Sequence, residues 1–433
     1  MPRAAGRLHL TSVLFGAFWT AVGLLITEHY VGPLLAERAL PPAEQSLSSA
    51  HRTIRGNAVL AGDPDELMRA GVQGMLASLN DPYASYVGPA DLRGFEEDSS
   101  GTYVGIGAML HPDGRVIYPM AGGPADTAGL RTGDRILAVD GEDASALRSD
   151  ALTERLRGPR GSTVRIEFEH RDGARASADL KRRPMPSGTV GDVRWLDRAA
   201  GLGHLHVRSF ADSTARELDA ACEALLAEGA LRGLVLDLRW NTGGQLESAV
   251  EIASRFLAGG TVCTLREFGG ATREMSAEPA LKRWPDLPLV LLVNSGSASG
   301  SEVLAGALRD HGAAALVGER TYGKGIFQEV YRFRDGQFVL KFTAGEYLTP
   351  AGRSLEGHLR PGLGPGGLEP DLPVAADPAQ IGAIRRWQQV NWPPSTLRAE
   401  VEQVFPGHFP NEPPADRVLD AALRLLQAAL APA

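Results

Sequence analysis

The stretch "LPLVLLVNSGSASGSEVLAGALRD", residues 287–310, joins an unbroken apolar run to a Ser/Gly turn and then to a segment with helical spacing. A run without charged or polar side chains suits a strand covered on both faces. The same grammar occurs upstream, where "GLVLDL" (233–238) precedes "QLESAVEIASRFL", with Leu246, Val250, Ala253 and Leu257 on one helical face. It occurs again downstream in "AALVGE" (314–319). Strands and helices alternating in this way specify an α/β domain with a largely parallel sheet, here assigned to residues 184–375.

Outward from this core, residues 101–183 show short alternating runs, "RVIYPM", "RILAVDGED", "TVRIEFEH" and "RASADLKR", broken by Gly, Pro and Asp. Such spacing predicts a small β-rich domain. Residues 34–100 carry helical patterning in "DELMRAGVQGMLASL" ahead of the turn-rich "NDPYASYVGPADL", and residues 376–433 end in the amphipathic "ADRVLDAALRLLQAAL", read as a helical extension. The fold class expected is therefore α+β multidomain.

Residues 1–33 differ in character. Arg3 and Arg7 precede an uncharged run, 10–27, near the lower length limit for crossing a bilayer. With no clear small-x-small cleavage site, the run reads as an uncleaved single-pass membrane anchor, its basic tip cytoplasmic and the rest of the chain outside, in the periplasm or extracellular space.

At 433 residues the chain can bury more than one core, and 43% apolar with 22% charged residues describes a globular protein. Its 44 basic and 52 acidic side chains leave a net charge of −8, which gives nucleic acid no electrostatic footprint. Cys222 and Cys263 are the only cysteines, so no disulfide framework supports the fold. Cys222 falls on the apolar face of "RELDAACEALLAEGA" and reads as a buried thiol.

Ligand sites of α/β sheets form beyond the carboxyl ends of strands. Two such ends stand out. "DLRWNTGGQ" supplies Gly243 and Gly244, which allow close backbone approach, and "NSGSASGSE" puts Ser295, Ser297, Ser299 and Ser301 at alternate positions before a helix. A helix N-terminus favours a developing negative charge. Locally, Ser299-Gly300-Ser301-Glu302 is also a capping box, worth about 1 kcal/mol without any catalysis. The nearest downstream histidine, His311, lies beyond the helix, and no Ser-His-Asp pattern or G-x-S-x-G elbow is present. His204 and His206 share one strand face, without further ligands to make a metal site. A lysine desolvated between glycines, as Lys324 is in "ERTYGKGIFQEV", can serve as base instead, although a lone lysine is ordinarily a solvated charge.

"VNSGSASGSEVLAGALRD" followed by "LVGERTYGKGIFQ" resembles the core of the carboxyl-terminal processing, or tail-specific, proteases. The similarity runs from "NDPYASYVGP" to "EPDLPV". It includes "GIG", "GGPADTAGLRTGDRILAVDGED" and "GPRGSTV", similar to the family's PDZ module, and "DLRWNTGG", similar to its D-L-R-x-N-x-G-G. The resemblance implies a ClpP/crotonase-like core with a Ser-Lys dyad. Ser299 matches the nucleophile, Lys324, 25 positions later, the general base, and Gln328 the glutamine that orients the lysine. The backbone N–H of Gly300, with that of Gly243 or Gly244, matches the oxyanion donors. Tyr103, Gly105, Ile106 and Gly107 of "YVGIG" match the loop that binds a substrate's terminal carboxylate. Trp240 and Gly300 depart from the family's small or polar residue and alanine at those positions. Trp240 is expected to narrow the substrate channel, and Gly300 to loosen the helix start at a cost of about 1 kcal/mol.

The implied activity is a serine endopeptidase that recognises protein C-termini and cleaves near them, with no metal or other cofactor. Its partners would be protein or peptide substrates and the membrane, with an adaptor and homo-oligomerisation left open. A PDZ-bearing scaffold without turnover would have no use for Ser299, Lys324 and Gln328, and an acyl-CoA enzyme of the crotonase type would leave the PDZ-like segment and the lysine unexplained.

Overall fold

The computed structural model describes residues 41–59, 63–284, 286–333, 337–359, 364–410 and 412–431. The expected anchor, 10–27, lies outside them. Among the described residues no helix is long and apolar enough to cross a membrane.

Two compact units divide the chain, residues 1–80 and 81–433. In the first, α1 (Pro42–Asn57) is followed by α2 (Pro64–Ser78), whose start is fixed by proline in the first turn and by Asp63, which accepts the Asp65 N–H at 2.9 Å. In the second, residues 81–100 hold a short strand and a helix. β1 (Ser85–Val87) pairs with a distant strand of the core, and α3 (Leu92–Ser100) leads into the β-rich domain.

That domain consists of β2 (Thr102–Gly105), β3 (Ala108–Leu110), β4 (Val116–Pro119), β5 (Arg135–Val139), β6 (Glu142–Asp143), α4 (Ser149–Leu156), β7 (Thr163–Glu169), β8 (Arg175–Lys181) and β9 (Arg183–Pro186). The order β6-β5-β7-β8, the hairpin β3-β4 and the pair β2-β9 enclose a core of Val116, Ile136, Leu152, Val164, Ile166 and Phe168. Strict alternation in β7, with Val164, Ile166 and Phe168 inward and their neighbours outward, is what sequence periodicity predicts.

The α/β core begins with β10 (Val190–Asp197) and β11 (Leu202–Val207), and continues through α5 (Thr214–Glu228), β12 (Gly233–Asp237), α6 (Leu246–Phe256), β13 (Thr261–Glu267), β14 (Thr272–Ser276), β15 (Leu289–Val293), α7 (Gly300–Asp310) and β16 (Ala314–Gly318). Next come β17 (Ile326–Phe333), β18 (Phe338–Leu348), β19 (Leu372–Pro373), α8 (Pro378–Gln388), α9 (Arg398–Val404) and α10 (Arg417–Leu430). The main sheet has the order β10-β11-β12-β15-β16-β19 and is parallel except at β10. Every residue of β11, β12 and β15 is buried, because both faces are covered. Leu234, Leu236, Leu291 and Val293 pack with α5, α6 and α7 on one face, while Val235, Val290 and Leu292 meet Val418, Ala422 and Leu426 of α10 on the other. The carboxyl-terminal helix thus forms the second cover of the sheet. A second sheet, β1-β18-β13-β14 with β17 along β18, closes the core.

A buried ion cluster ties α10 to the end of β12. Asp237 accepts the Arg239 backbone N–H at 3.0 Å and its Nη2 at 2.6 Å, and Arg239 Nη1 and Nη2 donate to Asp416 at 3.1 and 2.7 Å. Asp416 also caps α10 by accepting the Val418 and Leu419 N–H groups. The arginine lies between two carboxylates. Arg239→Met is therefore expected to cost about 3–5 kcal/mol in urea unfolding, because it leaves two buried anions without their cation, and adding Asp416→Ser, which keeps a cap, should recover part of the loss. An Arg239→Met variant as stable as wild type would contradict the clamp.

Candidate active site

Because β12 and β15 are neighbours, the turns that follow them lie side by side at the carboxyl end of the sheet. Asn241 links the two. Its Nδ2 donates to Val207 O at 2.9 Å, and its carbonyl accepts the Ala298 N–H at 3.0 Å and the Ser301 hydroxyl at 2.8 Å. Ser297 donates to Leu238 O at 2.8 Å and accepts the Asn294 N–H at 3.0 Å. These bonds separate the four serines. Ser297 and Ser301 are buried and committed to the turn, Ser295 is exposed, and Ser299 is half-buried at the start of α7.

Ser299 is also conformationally distinct, with φ 55° and ψ −118°. A non-glycine residue in that region is strained and persists only where its surroundings fix it. The fixing group is Glu302, which is fully buried. Its carboxylate accepts the Ser299 N–H at 2.9 Å, the Lys324 N–H at 2.9 Å, the Gly323 N–H at 2.7 Å and the Thr321 hydroxyl at 2.6 Å. Burial raises the Glu302 pKa, and these four donors oppose the shift. The capping-box glutamate therefore holds the main chain of both sequence-predicted catalytic residues.

Lys324 is half-buried, its Nζ 4.3 Å from the centre of the Tyr83 ring. Burial pushes its pKa below the ordinary value, and the positive charge of Lys341 adds to this. Asp81, Glu356 and Glu302 pull the other way, and the net shift is downward. Gln328 donates to Tyr83 O at 2.6 Å, so it reaches the lysine through the tyrosine whose ring lies against the amine. Among the described residues no hydrogen bond joins the Ser299 hydroxyl directly to the Lys324 amine. Catalytic contacts commonly tighten only once substrate is bound.

The neighbouring glycines are dictated by crowding. A Cβ on Gly243 would stand 2.7 Å from Ser299 Cβ, and one on Gly244 would stand 2.1 Å from Phe210 O. The Gly243 N–H donates to Asn241 Oδ1 at 2.9 Å, whereas among the described residues no acceptor takes the N–H of Gly244 or Gly300. Gly300, where the resemblance leads one to expect alanine, faces Phe210, whose ring would lie 3.2 Å from an added methyl. Trp240 occupies the left-handed region at φ 59°, its N–H donated to Asn294 Oδ1 at 3.0 Å.

Of the "YVGIG" residues, Ile106 and Gly107 form the turn between β2 and β3. Their carbonyls accept the Ala125 and Met120 N–H groups, both at 2.8 Å, and among the described residues no backbone acceptor takes their own N–H groups. Tyr103 and Gly105 lie in the paired strand β2, with the Tyr103 ring beneath Arg157. His204 and His206 are buried at the end of β11. His204 Nδ1 lies 2.9 Å from Asp192 O, His206 Nε2 lies 3.2 Å from Arg239 O, and burial pushes His206 down to about 4. Cys222 is buried, which pushes its thiol up to about 12.

Sequence reasoning missed Tyr83 and the second role of Glu302. Glu302 was visible three residues after Ser299 but read only as a cap, and Tyr83 lay in a segment that read as a turn.

The profile of Peptidase family S41 matches residues 201–374, and that of the PDZ domain matches residues 115–169. The chain is 32% identical over 310 residues to the carboxy-terminal processing protease CtpA of Bacillus subtilis (strain 168), covering 71% of this chain and 65% of that protein's length. It is 31% identical over 377 residues to a probable CtpA-like serine protease of Staphylococcus aureus (strain COL), covering 85% of this chain and 73% of the relative. Among solved structures, a photosystem II D1 C-terminal processing protease is similar at 28% identity and a TM-score of 0.42, covering 75% of this chain and 88% of that one. The chain belongs to peptidase family S41 and carries a PDZ domain, and it spans about two thirds of the length of the Bacillus subtilis relative.

Glu302→Gln keeps the side-chain shape but turns an amide N–H₂ towards main-chain donors. It is expected to slow fluorophosphonate labelling of Ser299 by at least about tenfold, the loss of roughly one charge-assisted hydrogen bond. Labelling at the wild-type rate would show that Glu302 is a helix cap only.

Proposed function

We propose that the chain is a serine endopeptidase in which Ser299 is the nucleophile and Lys324 the general base. The observation that carries the reading is the shared attachment of Ser299 and Lys324 to the buried Glu302. A scaffold without turnover has no use for such an arrangement. Neutral Lys324 takes the Ser299 proton as Oγ attacks a peptide carbonyl, the backbone N–H groups of Gly300 and Gly244 hold the oxyanion, and the lysine ammonium then donates to the leaving amine. Water next attacks the acyl-enzyme, with the same lysine as base. Gly244 is preferred over Gly243 as donor because the Gly243 N–H is already spent on Asn241. Gln328 acts by fixing Tyr83 against the lysine.

The substrate class proposed is a polypeptide held by its carboxyl terminus in the PDZ domain, where the Ile106 and Gly107 N–H groups would receive the terminal carboxylate. The parallel sheet with its site at two adjacent strand ends supports a ClpP/crotonase-like core. For location we propose the outer side of the cytoplasmic membrane, with residues 10–27 as anchor, on the strength of the basic residues that precede that run.

Digestion of a denatured protein tests the reading. Wild type and Ser297→Ala should cleave, the latter with lower stability, while Ser299→Ala and Lys324→Ala should each abolish cleavage and remain folded. A cleaving Ser299→Ala variant would overturn it. In the same assay, a peptide with an amidated terminus should be cut more slowly than the free acid, and equal rates would remove the PDZ role.

A further inference from the structure

Tyr347 lies on β18, in the strand pair with Leu265 of β13, and its side chain is fully buried. Its hydroxyl donates to Lys324 O, and its backbone N–H donates to Gly325 O at 2.9 Å. Lys324 is therefore gripped at both ends of its own residue, its N–H by Glu302 and its carbonyl by the phenol. The Ser299 side chain is also within interaction range of the Tyr347 hydroxyl. Burial holds the phenol well above its usual range, so it stays protonated. A phenol has one proton to give, and this one goes to the Lys324 carbonyl. Towards Ser299 its oxygen can then only accept.

We infer that Tyr347 is a positioning residue of the Ser-Lys site, holding the main chain of Lys324 with its proton and the hydroxyl of Ser299 with its oxygen. In the resting enzyme the Ser299 proton points to Tyr347. On substrate binding the hydroxyl turns and gives that proton to Lys324, and the phenol keeps its own throughout, so Tyr347 exchanges no proton with substrate. The proposal rests on the Ser299–Lys324 reading above and adds a residue that lies 48 positions after Ser299 in sequence.

Tyr347→Phe removes the hydroxyl and keeps the ring, so packing is preserved. With a peptide that wild type cleaves and Ser299→Ala does not, Tyr347→Phe should lower kcat by at least about tenfold, as expected for one lost positioning hydrogen bond, and leave KM within about twofold. The alkaline-rising limb of kcat/KM should also move, because Lys324 is no longer held in its buried position. Should Tyr347→Phe prove unfolded by circular dichroism, 3-fluorotyrosine at position 347, which keeps the donor to Lys324 O but weakens the oxygen as acceptor of the Ser299 hydroxyl, should change kcat with KM held within about twofold, and an unchanged kcat would overturn the role. Wild-type kcat and an unmoved pH limb in a folded variant would overturn the role of Tyr347 and leave the dyad standing. Cleavage by Ser299→Ala would overturn the dyad, and this inference with it.

Discussion

A carboxylate with no solvent contact joins the two halves of the candidate active site. Removing Glu302 from water is costly, and the cost is offset only by a full set of donors. The donors are the main-chain N–H groups of Ser299, Gly323 and Lys324 and the Thr321 hydroxyl. Satisfying this one anion therefore draws the start of α7 and the loop after β16 to a common point. The strained backbone of Ser299 follows from the same constraint, since its N–H must reach Glu302 while its side chain clears Gly243.

The sheet supplies the platform on which this works. Apolar residues on both faces of β11, β12 and β15 need two covers, and α10 provides the second. The Asp237–Arg239–Asp416 cluster locks that cover to the turn that carries Gly243 and Gly244. Conserving the geometry of a strand end some distance from the reacting atoms is the plain physical use of the D-L-R sequence, whose charged side chains are buried and paired with one another.

Much of this was legible in the residues. The apolar runs at 233–238 and 287–293 specified buried parallel strands, and two strand ends rich in Gly and Ser pointed to the candidate site. Ser299 could not be separated from a helix cap by local sequence, and the structure explains why. Glu302 does take the Ser299 N–H as a capping residue would, and uses the same carboxylate to hold the lysine loop. Gly243 and Gly244 differ in that the Gly243 N–H is taken by the Asn241 side-chain oxygen, a contact that no spacing records. Tyr83 comes beside Lys324 from a segment whose strand β1 pairs with β18 across more than half of the chain, and Tyr347 comes beside it through the pairing of β18 with β13, contacts invisible to periodicity. The amphipathic pattern of 417–430 was plain, but its partner face was not, so it read as an appendage.

The proposed proton transfer depends on a lysine that loses its charge more readily than a solvated one. Its pKa can be read directly by titrating the protein with isotopically labelled lysine and following the side-chain resonance of Lys324 by NMR, assigned by its loss in Lys324→Arg. The expected midpoint lies below the ordinary 10.5, moved down by burial and by Lys341. A midpoint at or above 10.5 would mean that the amine is a solvated charge near neutral pH and that another group accepts the Ser299 proton.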